Sequence, residues 1–148
     1  MSAARPTALA LATLLAAALA ACTGPSAERQ AAIDAINAKL PQPYRDGLAT
    51  ERAHAQRGVL VLDVRFAQAR VAQLEAKPHL RDALRIDETE AMVELCDEPA
   101  LAPYLRAGGR VQRRFIDADG ALFFATGLDG RDCPATPDSP TSTDTHAP

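Results

Sequence analysis

The stretch GVLVLDVRF, residues 58–66, is the clearest β-strand signal in the 148-residue chain. Its even-numbered residues, from Leu60 to Phe66, are all apolar, whereas its odd-numbered residues change from valine to Asp63 and Arg65. An alternation with a period of two residues places one set of side chains on each face of a sheet. The stretch therefore predicts a strand with one apolar face and a second face that becomes polar towards its end.

A hairpin is predicted further along the chain. Residues 111–116 alternate, and the turn Asp-Ala-Asp-Gly at 117–120 leads into a second run at 121–128. Asp-Gly between two alternating runs is a strong hairpin signal. The turn does not fit a calcium loop, because the positions that would need Gly and Glu hold Leu122 and Leu128. We therefore expect a plain antiparallel turn here.

The residues before the first clear strand predict a helix and a weak strand. A helix is predicted over residues 26–39, with Ser26 as its N-cap, and Pro41 and Pro43 prevent its extension. Residues 44–55 have no clear period, and we expect an irregular strand there.

The residues between the strand and the hairpin are predicted to be helical. Residues 67–95 form one helical region with an interruption near Pro78, and a short helix over 99–107 ends at Gly108. The inner face of the longer region is expected to hold Leu80, Ala83, Leu84, Ala91 and Leu95.

Together these elements predict a single α+β domain over residues 26–133. Its expected architecture is a small antiparallel sheet of three or four strands packed on helices. Residues 134–148 are rich in Pro, Thr, Ser and Asp, with no recurring apolar residue, and predict a disordered tail.

The N-terminal residues predict export and a lipid anchor. Residues 1–21 combine Arg5 with an apolar run and small residues, which is typical of a signal peptide and too short for a spanning helix of about 20 residues. LAAC, residues 19–22, resembles the lipobox of bacterial lipoproteins. The resemblance implies a diacylglyceryl thioether on Cys22 and a lipidated tether at residues 22–25. The alternative is an ordinary signal peptide that leaves Cys22 as a free thiol.

The same resemblance implies a location. Thr23, rather than Asp, follows the cysteine. By analogy with Gram-negative lipoproteins, this predicts anchorage in the outer membrane, facing the periplasm. After residue 21 the chain holds 15 basic and 19 acidic residues, a net charge of −4. This mixed, nearly neutral balance predicts neither nucleic acid nor an anionic membrane surface as a partner.

The cysteine count predicts one disulfide. If Cys22 is lipidated, Cys96 and Cys133 remain, and two thiols in an oxidising compartment usually pair. The alternative is a buried thiol at Cys96 and an exposed one at Cys133.

The mature domain also resembles a group of small proteobacterial lipoproteins. The shared pattern comprises a helix, a Leu-Pro pair, a strand, a helix ending in Cys, a Leu…Gly turn and a hairpin closed by Cys. In this chain it is carried by Leu40-Pro41, Asp46, Thr50, Phe66, Cys96, Leu105, Gly108, residues 117–120 and Cys133. The chain departs from the pattern in the third strand, where Arg113 and Phe115 replace tyrosines. The resemblance supports the fold and the Cys96–Cys133 bridge and assigns no activity.

No residue pattern predicts catalysis. The serines fall in the signal segment, at a helix cap and in the tail, so none is placed as a nucleophile. Neither a CxxC nor an HxxxH spacing suggests a metal site. We therefore expect no catalytic residue, metal or cofactor.

Four arginines form the candidate partner surface: Arg106, Arg110, Arg113 and Arg114. Arg113 and Arg114 are neighbours on a strand and point to opposite faces, so all four cannot form one patch. They serve either as a charged strand edge that prevents edge-to-edge pairing or as a site for an acidic partner.

Two functions fit these features. The first is a non-enzymatic, membrane-anchored binding or accessory lipoprotein of the envelope, including inhibitor or immunity proteins, with an unknown envelope protein as partner. The second is a minor envelope hydrolase acting on peptidoglycan or lipid. A concave pocket with two converging acids would favour the hydrolase.

We predict acylation of Cys22. Mass spectrometry of the N-terminal peptide of the mature protein should show acyl mass on this cysteine, and Cys22→Ser should block processing or release the protein from membranes, because each buried methylene contributes about 0.8 kcal/mol. Recovery of an unmodified mature protein from the soluble periplasm contradicts this prediction.

Overall fold

The computed structural model describes residues 25–45 and 47–135, and its centre is one five-stranded sheet. The strands follow one another across the sheet in chain order. They are β1 (Gln42–Pro43), β2 (Leu48–Gln56), β3 (Val59–Phe66), β4 (Arg110–Ile116) and β5 (Leu122–Asp129). The α+β class is confirmed, but the sheet has five strands, not three or four.

The helices are short and precede or join the strands. They are α1 (Pro25–Asn37), α2 (Val71–Glu75), α3 (Pro78–Ala91) and α4 (Ala102–Arg106), with 3-10 turns at Met92–Asp97 and Gly130–Asp132. Pro78 occupies the first turn of α3, where the missing N–H has no helical partner to lose. None of the described helices combines the length and apolar composition needed to cross a membrane.

The sheet is mixed, so the predicted all-antiparallel arrangement is wrong. β3 and β4 are parallel, with Leu60 opposite Val111 and Val64 opposite Phe115. A parallel pair needs a crossover that returns the chain to the same end of the sheet, and the helical residues 67–109 provide it. The predicted β4–β5 hairpin is antiparallel, as expected.

The two strands before β3, β1 and β2, form one side of the sheet. β2 is a regular nine-residue strand that pairs along β3, with one irregularity between Thr50 and Arg52. β1 was not predicted, because its two residues include Pro43 and lie where a helix was expected to stop. Proline is tolerated there because β1 is an edge strand.

The core lies between one face of the sheet and the helices. Leu60 and Leu62 of β3 pack with Ile33 of α1 and with Leu101 and Tyr104 near α4. Farther along the same face, Val64 joins a second cluster of phenylalanines in which the Phe115 and Phe124 rings stack 4.4 Å apart. The apolar side chains that alternate along residues 58–66 therefore contribute to both clusters.

The predicted inner helical face is buried only in its second half. Leu80 is 39% exposed and Ala83 is also exposed, whereas Leu84 and Ala91 are half-buried and Leu95 is 9% exposed. Glu88 is 5% exposed, which makes it the only buried residue of α3. The helix thus turns a carboxylate towards the sheet on the same face as Leu84.

The predicted bridge between Cys96 and Cys133 is confirmed. The cysteines form a disulfide with a Cα–Cα distance of 5.7 Å. The bond joins the 3-10 turn after α3 to the end of the turn after β5. The signal peptide, Cys22 and the predicted tail beyond residue 135 lie outside the described residues and remain predictions.

We expect the bridge to stabilise the domain. It closes a loop with a sequence separation of 37, so Cys96→Ser should lower the free energy of unfolding by about 2–4 kcal/mol in chemical denaturation. The neighbouring exposed Asp97→Ser is the control and should change it by less than about 0.5 kcal/mol. Equal effects of the two substitutions contradict a stabilising role for the bridge.

Candidate functional site

A buried polar network lies at the centre of the helix-covered face of the sheet. The Arg113 Nη1 group donates to the Tyr44 hydroxyl at 2.6 Å and to Glu88 Oε2 at 3.2 Å. The Tyr44 hydroxyl in turn donates to Glu88 Oε2. The Arg113 guanidinium also lies 4.5 Å from the centre of the Tyr44 ring, within cation–π range. Three side chains distant in sequence are therefore bonded to one another.

The secondary structure places each group. Arg113 comes from β4, which lies between β3 and β5, Glu88 from the inner face of α3, and Tyr44 from the link between β1 and β2. The Arg113 and Glu88 side chains are 7% and 6% exposed. A buried ion pair contributes little net stability, but removal of one partner leaves an uncompensated charge. The network therefore specifies how α3 and the β1–β2 link pack on the sheet.

The network holds the Tyr44 hydroxyl in its protonated form. Burial and, to a smaller extent, the hydrogen bond to Glu88 raise the pKa of Tyr44 to about 12. Arg45 lies 3.6 Å from the other oxygen of Glu88 and adds a second cation at the surface. The Glu88 carboxyl group is thus shared by two guanidinium groups and one phenol.

A groove of about 310 Å³ opens directly above this network. Its lining joins Leu62 of β3 and Arg113 of β4 to four further apolar residues, Ile36, Leu40, Leu95 and Leu101. The exposed Lys39 and Glu98 also line it. The groove therefore has a mixed lining, with apolar side chains beside polar ones and one exposed charge of each sign.

The other face of the sheet holds a second charged cluster. Asp63 of β3 is 3% exposed and lies 2.7 Å from Arg52. The imidazole of His54 and the guanidinium of Arg114 lie 3.2 and 3.7 Å away from its oxygens. The cations on β2 and β4 flank the acid because they are its cross-strand neighbours.

The four predicted partner-surface arginines lie in different environments. Arg113 is inside the network, and Arg114 faces Asp63 across the sheet. Arg110 is exposed at the start of β4, and Arg106 is exposed at the end of α4, where its Nε donates to the carbonyl of Ala102. The structure does not bring the four together, and their role towards a partner remains a proposal.

The sequence analysis missed Tyr44 and Glu88. Glu88 lies four residues after Leu84 and seven before Leu95, the spacing of the predicted inner face. A charged residue at such a position signals a buried partner. Tyr44 gives no comparable signal, because it lies in a stretch without a period.

The Asp117 carboxylate closes the turn between β4 and β5 through hydrogen bonds to backbone N–H groups. The Asp117 carboxylate accepts backbone N–H bonds from Val71, Asp119 and Ala121 at 2.8–2.9 Å. These hydrogen bonds lower the pKa of Asp117 below its ordinary value, and the one from Val71 has the largest effect. The carboxylate is occupied in closing the hairpin turn onto α2.

Comparison with solved structures identifies similar folds. A Pseudomonas aeruginosa protein described as secreted superimposes with a TM-score of 0.55 and 12% identity, over 74% of this chain and 93% of that one. The pilotin EpsS of the Vibrio vulnificus type 2 secretion system does so with a TM-score of 0.51 and 15% identity, over 76% and 96%. These likenesses establish the fold alone.

A third structure, the pilotin AspS of the Vibrio cholerae type II secretion system, superimposes with a TM-score of 0.45 and 14% identity, over 74% and 94% of the two chains. That similarity is too low to support an argument. No protein-family model and no curated protein matches the chain.

We predict that Glu88→Gln is strongly destabilising, because it leaves the buried Arg113 without its counter-charge. The free energy of unfolding should fall by about 3–5 kcal/mol in chemical denaturation. Asp119→Asn is the control. It removes the ion pair between Arg70 and Asp119, whose side chains are 67% and 57% exposed, and should lower the free energy of unfolding by less than about 1 kcal/mol.

A second variant separates the charge from the packing. The double substitution Glu88→Leu/Arg113→Met should restore most of the lost stability, because neither charge remains buried. If the double variant is as unstable as Glu88→Gln, the loss is one of shape and not of charge.

Proposed function

We propose that this chain is a lipid-anchored, non-enzymatic accessory protein of the bacterial envelope. In this proposal Cys22 holds the domain at the periplasmic face of the outer membrane, and the groove above Arg113 binds a segment of another envelope protein. The anchor rests on the lipobox-like residues 19–22.

The observation that carries the binding role is the groove itself. Two of its lining side chains, Ile36 and Leu40, are half-buried and lie beside the buried Leu62 and Leu101. Such a concave, partly apolar surface is typical of a binding site, because burial of its remaining apolar area by a partner is favourable.

The exposed charges of the lining indicate the occupant. Lys39 and Glu98 lie more than 4 Å from any oppositely charged group among the described residues. A short amphipathic segment fits both features: its apolar side chains would fill the groove, an acidic residue would face Lys39, and a basic residue would face Glu98.

The fold supports an envelope role. One of the proteins with a similar fold is described as secreted, and another is named as a pilotin of a type 2 secretion system. We infer that the partner of this chain belongs to an envelope assembly, as a component that the anchored domain binds and holds at the membrane.

The alternative, a small envelope hydrolase, has less support. A hydrolase using two carboxylates needs them within several ångströms of each other on either side of the scissile bond. Among the described residues that line the groove, Glu98 is the one carboxylate. The nearby Glu88 is already bonded to Tyr44 and Arg113.

A site-specific crosslink tests the binding role. A photoreactive residue at Ala100, in the groove lining, should capture a specific envelope protein in cells, whereas the same residue at the exposed Ile86 should not. The captured protein should then bind the purified full chain. Leu40→Glu places a charge in the groove wall and should weaken this binding at least tenfold, equal to about 1.4 kcal/mol.

Ile86→Glu is the matched control and should bind as the unchanged protein does. Equal binding by the Leu40→Glu and Ile86→Glu proteins contradicts the proposed groove, provided that both melt at the temperature of the unchanged chain.

A further inference from the structure

Three arginines meet at the end of the sheet where α1 begins. Arg29 of α1 donates from Nη1 to the carbonyl of Gly58 at 2.9 Å, next to Arg57 in the β2–β3 turn. The Tyr104 hydroxyl lies 3.3 Å from the same carbonyl and 3.1 Å from that of Arg110. The Gly58 carbonyl and the Tyr104 hydroxyl thus connect the backbone beside Arg57 and at Arg110 with the first turns of α1.

These arginines form no salt bridge with a described carboxylate. Five of the arginines in the described part of the chain lie more than 4.0 Å from every described carboxylate: Arg29, Arg57, Arg81, Arg106 and Arg110. Arg81 lies over the Phe123 ring instead. Asp129, the cross-strand neighbour of Arg110, accepts hydrogen bonds at 2.9 Å from two guanidinium nitrogens of Arg131. Arg131 has the largest effect on the lowered pKa of Asp129, and the charge of Arg110 adds to it.

The charge of the domain is therefore distributed unevenly. Besides the buried Glu88, α3 and the turn after it carry five acids, Asp82, Asp87, Glu90, Glu94 and Asp97, against Arg81 and Arg85. Positive charge is in excess around Gly58, where Arg29, Arg57 and Arg110 outnumber Glu28 and Asp129. The near-neutral total of the sequence conceals this separation, which is why the composition alone predicted no anionic surface as a partner.

The chain that precedes α1 fixes which end of the domain meets the membrane. α1 begins at Pro25, three residues after Cys22. Three residues span at most about 11 Å, and the turn from Pro25 to Arg29 adds about 6 Å. A headgroup layer is about 5–7 Å thick on each side of the hydrocarbon. A lipid on Cys22 would therefore hold Arg29 and its neighbours next to the phosphates.

We propose that Arg29, Arg57 and Arg110 dock the domain on the anionic phospholipid headgroups of the membrane that anchors it. The inference rests on the proposed lipid on Cys22. It adds an orientation: the arginine end faces the bilayer, and the acidic end around α3 faces the periplasm.

Hydrogen exchange of the lipidated protein in vesicles tests the orientation. The protein is reconstituted into phosphatidylcholine vesicles with or without phosphatidylglycerol. The amides around Gly58 and Arg110 should exchange more slowly only where phosphatidylglycerol is present. The difference should vanish in about 1 M salt, where the screening length falls to about 3 Å.

Charge variants supply the matched comparison. Arg57→Ala/Arg110→Ala should weaken docking about 25-fold, or about fivefold for each arginine near an anionic surface, and should remove the protection. Neither side chain makes a hydrogen bond or ion pair to a described residue, so the fold should be unaffected. Arg81→Ala/Arg85→Ala removes the same charge from α3 and should leave the protection intact.

The outcomes separate this inference from the anchor on which it rests. A protein that does not float with phosphatidylcholine vesicles lacks the lipid, and both proposals fail. A protein that floats but shows no phosphatidylglycerol-dependent protection keeps the anchor and overturns the docking surface, which leaves the arginines to an acidic protein partner. Protection that persists in the Arg57→Ala/Arg110→Ala protein also overturns it.

Discussion

The contact on which the packing of this domain depends is the pair of buried charges, Glu88 and Arg113. Each is almost fully removed from water, and neither can remain so without the other. The pair therefore requires α3 to lie across β4 in one position. Tyr44 completes the arrangement, because its hydroxyl accepts from one partner and donates to the other. The irregular link between β1 and β2 is thereby held against the central strands.

A second set of constraints acts at the opposite end of β4. The Cys96–Cys133 bond joins the residues after α3 to those after β5. Close backbone contacts reinforce it: a Cβ at Gly109 would lie 2.4 Å from the Tyr104 ring, and one at Gly130 would lie 1.9 Å from the carbonyl of Leu105. Only glycine fits at either position. The residues around Leu95 and Leu101 that line the groove are consequently close to fixed elements.

The two proposed surfaces divide the domain by charge and by shape. The end around Gly58 carries Arg29, Arg57 and Arg110. The groove is lined by residues of α1 and by residues around Leu101, and it combines apolar side chains with charges of both signs. A domain oriented by the first surface would present the second in a defined direction. The short α1 links them, because its first turn carries Arg29 and its last turn contributes Ile36 to the groove wall.

Much of this architecture follows from local sequence. The alternation of residues 58–66 determined β3, Asp-Gly determined the β4–β5 hairpin, and the cysteine count identified the bridge, because each signal depends on neighbouring residues or on exclusion. The parallel pairing of β3 with β4, the added edge strand β1 and the exposure of Leu80 and Ala83 in α3 depend on where the crossover returns. The Tyr44–Glu88–Arg113 network and the arginine end unite residues far apart in sequence. Only the tertiary structure decided these features, because burial and charge pairing depend on distances in space that no local period records.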